Sequence, residues 1–298
     1  MSHNHTENLK LKDNFYTFYI GFDLCDDGYG QLKDKFYDEL FDDIPAFAFG
    51  ESVMNKKVAD VGIMPTVREA MKKIYSIKEI QDAREKYSDL TDVEDKYIKR
   101  GEFGELLLYH LLHEYFSADA LISKIYFKDS AGSVAHGFDA VHVNADTKTL
   151  WLGESKLYID GSVAIKELAK DVFNHFTTDF LDSEFQIITN RLSDSNDKHD
   201  EFILKLLNPK TRNLRRLADI KICLFAGFES KSLKNFDKDN FNQELSNEVL
   251  ELYEKMNKSI EDHHWRHELD IYLLLFPYDN KREFVSSLHK KLIAGQSI

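Results

Sequence analysis

The sequence predicts an α/β (α+β) fold in which a mixed central sheet is flanked by helices. Short apolar segments rich in β-branched and aromatic residues are typical of strands, and they alternate with longer segments whose apolar residues recur at helical spacing. The chain has 298 residues, of which 43% are hydrophobic and 13% aromatic. This is enough apolar material for one large domain or two modest ones.

The N-terminal region, residues 1–90, is predicted to be mixed and largely helical. We expect it to contact a partner or to have a regulatory role. The elements predicted there are a strand over 15–24, a helix over 32–41 and two helical stretches within 66–88.

The remaining residues, 91–298, are predicted to form one α/β core. Helices and strands alternate along it, and Pro277 is expected to close the last strand. The predicted helices span 92–116, 163–180, 184–192, 198–207, 239–262 and 280–293, and the predicted strands span 121–128, 137–144, 149–157, 218–227 and 268–276.

The net charge argues against a protein that holds nucleic acid with its whole surface. Lys and Arg number 39 against 52 Asp and Glu, which gives a formal charge of −13. A nucleic-acid substrate would therefore need a local basic patch or a partner to hold it. The acidity is equally compatible with a simple contribution to solubility.

Two segments could supply such a patch. Lys166 and Lys170 lie four residues apart on a predicted helix, although Glu167 and Asp171 could neutralise them. The segment 202–218 is basic and contains no acid, and it is either a nucleic-acid or partner contact or an ordinary solvated loop. Its basic residues are Lys205, Lys210, Arg212, Arg215 and Arg216.

The cysteines and the N-terminus predict a cytoplasmic protein. Cys25 and Cys223 each lie in an apolar run, which favours buried thiols in a reducing compartment. The first residues, MSHNHTENLKLKDN, lack the apolar centre of a signal peptide. Because no apolar run approaches the roughly 18 residues of a membrane span, no membrane association is expected.

Charged residues on two consecutive strands need an explanation. Asp139 lies on the strand over 137–144, and Glu154 and Lys156 lie on the strand over 149–157. The turn-forming residues between the two strands predict an antiparallel pair. Glu154 and Lys156 share a face, roughly 6–7 Å apart at Cα, with the apolar Leu150 and Leu152. Charges on such an inward face are destabilising unless they are paired or bind a metal.

Phosphodiester hydrolysis uses these residue types together. A hard ion such as Mg²⁺ takes oxygen ligands, which Asp139, Glu154 and the carbonyl of Ser155 can offer. Lys156 beside them can orient or deprotonate the attacking water and offset charge in the transition state. Glu105 could add a third carboxylate, because it lies on an apolar face of the preceding helix.

The order of these residues resembles a known nuclease superfamily. A helix glutamate, a strand aspartate, a strand Glu-x-Lys and a following helix resemble the PD-(D/E)xK superfamily. More narrowly, GEFGE (101–105), GFDAVH (137–142) and WLGESKLY (151–158) resemble the HamA family of nuclease subunits in Hachiman anti-phage defence. The resemblance covers residues 101–175. Phe138 departs from it, because the general pattern has a proline there.

This resemblance carries several expectations. It implies a restriction-endonuclease-like core, with Glu105, Asp139 and Glu154 at Mg²⁺ (or Mn²⁺) and Lys156 at the water. It also implies DNA as substrate and a stable heterodimer with a HamB-like helicase that restrains or activates the nuclease.

Other interpretations of the charged strands remain open. Lys156 could form a purely structural buried salt bridge with Glu154 or Asp139. The domain could also be a catalytically idle binding or scaffold subunit. A glycosidase would use paired acids as well, but it has no role for the lysine two residues after Glu154.

Overall fold

The computed structural model describes residues 5–25, 28–75, 102–123, 137–194, 201–208, 217 and 219–296. Within them, seven strands form a central sheet and two short strands form a separate hairpin. The strands are β1 (Thr6–Lys12), β2 (Phe15–Ile20), β3 (Phe22–Cys25), β4 (Gly28–Gln31), β5 (Asp119–Ser123), β6 (Ala140–Asn144), β7 (Thr149–Leu157), β8 (Ile220–Glu229) and β9 (Asp270–Tyr278).

The central sheet is mixed, in the order β1-β2-β9-β8-β7-β6-β5. Its middle is parallel, because β9 pairs in parallel with both β2 and β8, and β8 pairs in parallel with β7. The strands at both sides are antiparallel, including β6 with β7 as the sequence predicts. The predicted α+β fold with a mixed central sheet is therefore confirmed.

Helices cover both faces of this sheet. On one face β8 and β9 contribute Cys223, Phe225 and Phe276 to a core shared with the N-terminal helices. On the other face Leu224 and Leu275 belong to a second core. The described helices are α1 (Lys33–Asp42), α2 (Ile44–Phe49), α3 (Glu51–Val61), α4 (Ile63–Tyr75), α5 (Glu102–Phe116), α6 (Gly161–His175), α7 (Thr178–Asp194), α8 (Glu201–Leu207), α9 (Lys231–Lys234), α10 (Phe241–Ser259) and α11 (Lys281–Gln296).

The two cores divide the helices between the faces. Apolar residues of α1, α2, α4, α5 and α11 form the first core, and those of α6, α7, α8 and α10 form the second. On the first face α5 approaches β7 closely at Gly153. A Cβ there would lie 2.8 Å from Leu108 Cδ2 and 3.0 Å from Ala140 Cβ, so only glycine leaves room for the helix.

The N-terminal region contributes to the same sheet as the rest of the chain. It is mixed and helical as predicted, but its β1 and β2 extend the sheet beyond β9. The boundary predicted near residue 90 falls in 76–101, outside the described residues. The division of the chain at that point stays a prediction.

Pro277 lies inside β9 and does not close it, so that expectation was wrong. The residue pairs with Phe228 of β8, and the strand continues to Tyr278. On its other side β9 pairs with β2 only from Leu273 to Leu275. The missing N–H of the proline therefore interrupts no ladder on that side, which is where a strand tolerates proline.

Cys223 is fully buried in β8, as predicted, and burial raises the pKa of its thiol far above the ordinary range. The side chain of Cys25 lies outside the described ones. None of the described helices combines the length and apolar character needed to cross a membrane.

Candidate functional site

Glu154 and Lys156 lie on one face of β7, near its carboxyl end, and each is paired with a residue of α6. Glu154 is only 3% exposed, and its Oε1 lies 2.6 Å from His175 Nδ1. The Lys156 ammonium lies 2.6 Å from Asp171 Oδ2. As predicted, both side chains face inward, on the side of Leu152. The salt bridge of Lys156 is thus made with Asp171, whereas the sequence interpretation had considered Glu154 or Asp139 as its partner.

Strand and helix spacings explain why the two pairs form together. Residues two apart on a strand are separated by about 6.6 Å, and residues four apart on a helix by about 6 Å. Because α6 runs back along β7, the spacing of Glu154 and Lys156 matches that of His175 and Asp171. We call these four residues the β7–α6 ladder.

The start of α6 sets the phase of this ladder. Asp160 is the N-cap, and its Oδ1 accepts hydrogen bonds from the amides of Ser162 at 2.7 Å and Val163 at 3.2 Å. Such a cap fixes where the helix begins and therefore which residues face the sheet. Asp171 and His175 follow on the inward side.

Asp139 lies next to the ladder, where β6 separates from β7. Its amide donates to Gly153 O, and β6 begins at the following residue. Its Oδ2 accepts hydrogen bonds from the Ser155 amide at 2.9 Å and the Ser155 hydroxyl at 3.0 Å. The carboxylate thus takes the place of a strand carbonyl for the Ser155 amide. Asp139 is close enough to act electrostatically on both Glu154 and Lys156.

The environment raises the pKa of three groups of the ladder. Burial raises the pKa of the Glu154 carboxyl to about 7, with Asp139 adding to the shift and His175 opposing it. Burial lowers the pKa of Lys156, but the hydrogen bond and charge of Asp171 outweigh it, so the net shift is upward. The pKa of His175 is likewise raised, because Glu154 outweighs the effect of burial.

Aromatic rings hold the His175 imidazole in position. Phe180 stacks on it with ring centroids 4.3 Å apart, and Phe138 meets it edge-on at 6.1 Å. Phe138 is the residue that replaces the proline of the superfamily pattern. Here its ring packs against the partner of Glu154, so this departure from the pattern has a structural consequence at the site.

The predicted metal ligands are not assembled as one close group. Glu105 is 5% exposed and lies on α5, which packs on the opposite face of β7, where Gly104 approaches Ser155 Oγ. Among the described residues, one group of three possible ligands lies within 4.8 Å, and it consists of Glu51, His113 and Asp119. The roles predicted for Glu105, Asp139, Glu154 and Ser155 at a metal therefore stay predictions.

The predicted nucleic-acid contacts are only partly within the described residues. Lys166 and Lys170 are exposed on α6, and Lys170 lies 3.8 Å from Glu167 in an ion pair. The other four predicted contacts lie outside the described residues, namely Lys210, Arg212, Arg215 and Arg216.

The two helix residues of the ladder were not predicted from the sequence. Asp171 was considered only as a possible partner of Lys166 or Lys170, and His175 was not considered. The sequence does contain a relevant pattern. Asp171 and His175 are four residues apart on a helix, and their charges complement those of Lys156 and Glu154, which are two residues apart on a strand. Using it requires knowing which face of the helix packs on that strand.

The fold and the site together define a class, that of mixed α/β proteins with a buried acid–base cluster at the carboxyl end of a central parallel strand. The family follows from comparison with known proteins. A family model described as HamA matches residues 1–292, so the chain belongs to the HamA family, as the sequence resemblance indicates, and is a defence-associated protein. A search of curated proteins found no match.

Proposed function

We propose that this chain is a Mg²⁺-dependent nuclease that hydrolyses DNA phosphodiester bonds, as the effector subunit of an anti-phage defence complex with a HamB-like helicase. The observation that carries the proposal is that buried Glu154 and half-buried Lys156 lie on one face of β7, with Asp139 beside them. Family membership supports the defence context. The geometry supports a site at which acid and base chemistry can act on one substrate.

The donor set fits a hard cation. Asp139 and Glu154 offer carboxylate oxygens, which Mg²⁺ prefers. Among the described residues, His175 holds Glu154 Oε1, and Glu154 Oε2 accepts no hydrogen bond. The raised pKa of Glu154 supports the same conclusion. Burial and Asp139 disfavour its charged form, and a bound cation would stabilise that form.

Each residue of the ladder has a distinct proposed role. Lys156 orients the attacking water and offsets negative charge on the phosphate in the transition state. Asp171 keeps the Lys156 ammonium in place, and His175 keeps the Glu154 carboxylate turned toward Asp139. Mg²⁺ held by the carboxylates would supply charge neutralisation on the phosphate and lower the pKa of water.

We also propose that the helicase is bound through the N-terminal region. Three large apolar side chains are exposed where α3 meets α4, and a partner could cover them. They are Val61 at 56%, Ile63 at 64% and Met64 at 45% exposure.

A cleavage assay tests the nuclease proposal. It compares linear DNA, circular DNA and RNA, with Mg²⁺, with Mn²⁺ and with EDTA, for the isolated chain and for its complex with the helicase. Glu154→Gln preserves the shape of the side chain and an acceptor for His175 but removes the negative charge. Glu167→Gln is the matched control, since Glu167 lies on α6 and pairs with Lys170 away from the ladder.

We expect DNA cleavage that requires the divalent ion, is lost in Glu154→Gln and is unchanged in Glu167→Gln. Cleavage of RNA alone would correct the substrate. Metal-independent cleavage, or full activity of Glu154→Gln, would overturn the assignment of the site. If every arm is inactive while the complex still binds DNA, the chain is a binding or scaffold subunit.

A further inference from the structure

Three side chains from three elements meet away from the ladder, where α5 and the N-terminal helices cover the other face of the sheet. Glu51 is the first residue of α3, His113 lies near the end of α5, and Asp119 is the first residue of β5. One potential ligand atom from each lies within 4.8 Å of the other two. We call this group the α3–α5–β5 cluster.

The distances in the cluster are close to those around a tetrahedral ion. His113 Nδ1 lies 3.2 Å from Asp119 Oδ1 and 3.8 Å from Glu51 Oε1. With Zn²⁺ bonds of about 2.0–2.1 Å, neighbouring ligands of a tetrahedron are about 3.4 Å apart. The two distances from His113 are within a few tenths of an ångström of this value, and the oxygens of Glu51 and Asp119 lie within 4.8 Å of each other.

The surroundings of His113 also suit a metal ligand. Its Nε2 lies 4.0 Å from Glu114 Oε1, and a carboxylate at the second nitrogen is the usual means of orienting a ligating imidazole. The ring is stacked on Tyr109, with centroids 6.0 Å apart and planes 7° from parallel. The imidazole thus packs on Tyr109 with one face, has Glu114 near its Nε2, and has the two remaining acids near its Nδ1.

The charges of the cluster favour a cation. Glu51, Glu114 and Asp119 surround a single imidazole, and within the described part of the chain no lysine or arginine forms an ion pair with any of them. The same excess of negative charge affects the pKa of the nearby Tyr109 hydroxyl. Burial is the main cause of its raised pKa, and the negative charges of Asp43, Glu51, Asp119 and Glu114 all add to it.

We propose that Glu51, His113 and Asp119 bind one divalent transition-metal ion, Zn²⁺ in the first place, that ties the N-terminal helices to α5 and to the edge of the sheet. An imidazole nitrogen with two carboxylates suits Zn²⁺, whereas Mg²⁺ takes oxygen ligands. The side chains are 41%, 30% and 52% exposed, respectively, so an ion can enter and water can complete its coordination.

This site is distinct from the one proposed for cleavage. Glu105 and His113 share α5, but eight residues separate them, which is about 12 Å along the helix. The cluster also differs in its nitrogen ligand. Binding of Zn²⁺ here is therefore independent of whether the chain cleaves DNA.

Zn²⁺ binding to the full-length chain tests the proposal. The purified protein is stripped with EDTA, and bound metal is then measured by titration calorimetry and elemental analysis, with thermal unfolding followed in parallel. His113→Gln removes the nitrogen ligand. His264→Gln is the matched control, since His264 is an exposed histidine beside another histidine, His263, and Glu154→Gln controls for the cleavage site.

We expect the parent chain to bind one equivalent of Zn²⁺ that His113→Gln binds at least tenfold more weakly and that both controls retain. Zn²⁺ should raise the unfolding temperature of the parent but not of His113→Gln. If His113→Gln does not fold, Glu51→Gln replaces it, because Glu51 is a partly exposed acid whose loss should leave the fold intact. Equal Zn²⁺ binding by the parent and the folded variant, or no binding by the parent, would overturn the proposal.

Discussion

Two half-buried lysine–aspartate pairs lie at opposite ends of the parallel part of the sheet. Lys156 of β7 pairs with Asp171, and Lys221 of β8 pairs with Asp270 of β9. The two lysine side chains are similarly exposed, at 23% and 20%. Lys156 is close to the carboxyl end of its strand, whereas Lys221 is the second residue of its strand.

The surroundings of the two pairs differ in their balance of charge. Among the described residues, the pair of Lys221 and Asp270 has one further hydrogen-bond partner, Asn14, which donates to Asp270 Oδ1 at 2.6 Å, so one cation meets one anion. Around Lys156 two more acids, Glu154 and Asp139, compete for the same positive charge. A balanced pair is satisfied by the protein itself. An excess of buried acid is destabilising unless a bound cation offsets its negative charge. The carboxyl end of a strand is also where ligands bind in open α/β sheets.

The largest expected effect is on cleavage when each lysine in turn is replaced by methionine. Lys156→Met and Lys221→Met each remove the ion-pair partner of one aspartate, although Asp270 keeps its hydrogen bond from Asn14, so both variants should lose stability. If Lys156 acts on the water and the phosphate, its loss should slow cleavage by at least roughly 100-fold, the lower end for a group that assists proton transfer. Lys221→Met should change the rate less than about twofold, within the usual scatter for a residue remote from the chemistry.

Initial cleavage rates measure this difference, taken per folded molecule at a temperature where circular dichroism shows both variants to be folded. Similar rates for the two variants would mean that position in the sheet makes no difference. The location of Lys156 at the carboxyl end of its strand would then have no role in cleavage.

A smaller effect is expected in the pH dependence of stability. The pKa of Glu154 is about 7 in the folded chain and 4.5 when unperturbed, so the folded state holds a proton that the unfolded state releases. Glu154 therefore has no destabilising effect below pH 4.5, and its effect grows up to about pH 7. Relative to the parent, Glu154→Gln should gain roughly 1–3 kcal/mol of unfolding free energy across this window.

His175 acts in the same direction. Its pKa is raised above the unperturbed 6.5, so the stability that it contributes is present below that pH and is lost as the pH rises through its folded value. Urea unfolding from pH 4.5 to pH 8 measures the gap between parent and Glu154→Gln. For Lys221→Met, the difference in unfolding free energy from the parent should not change with pH. If the difference between Glu154→Gln and the parent is also independent of pH, Glu154 is not a buried acid whose ionisation destabilises the fold.

The sequence predicted the parts of this comparison that depend on local pattern. Strand β7 was predicted over 149–157 as found, because Leu150 and Leu152 alternate with residues of the other face. The same alternation placed Glu154 and Lys156 on one inward face. The polar turn after Asn144 predicted the antiparallel pairing with β6.

The parts that depend on distant contacts were not predictable. Strand β1 has the polar sequence TENLKLK, because it is an edge strand whose side chains are mostly exposed. It therefore lacks the apolar pattern from which a strand is predicted. The partners of Glu154 and Lys156 were missed, because they depend on how α6 packs back over β7. The placement of α5 on the other face of β7 has the same origin, since a helical pattern does not say which face of a sheet the helix covers.

The smallest expected effect concerns the outer face of α6. Lys166 and Lys170 are four residues apart and exposed, while Asp171 and His175 of the same helix face the sheet. DNA whose phosphate reaches Glu154 at the carboxyl end of β7 would meet these lysines only at its flank. The double variant Lys166→Gln/Lys170→Gln should therefore weaken DNA binding a few-fold and reduce the salt dependence of binding by at most about two phosphate contacts. Lys35→Gln/Lys290→Gln on α1 and α11 removes the same charge on the other face of the sheet, and an equal loss of binding in this control would show that only net charge matters.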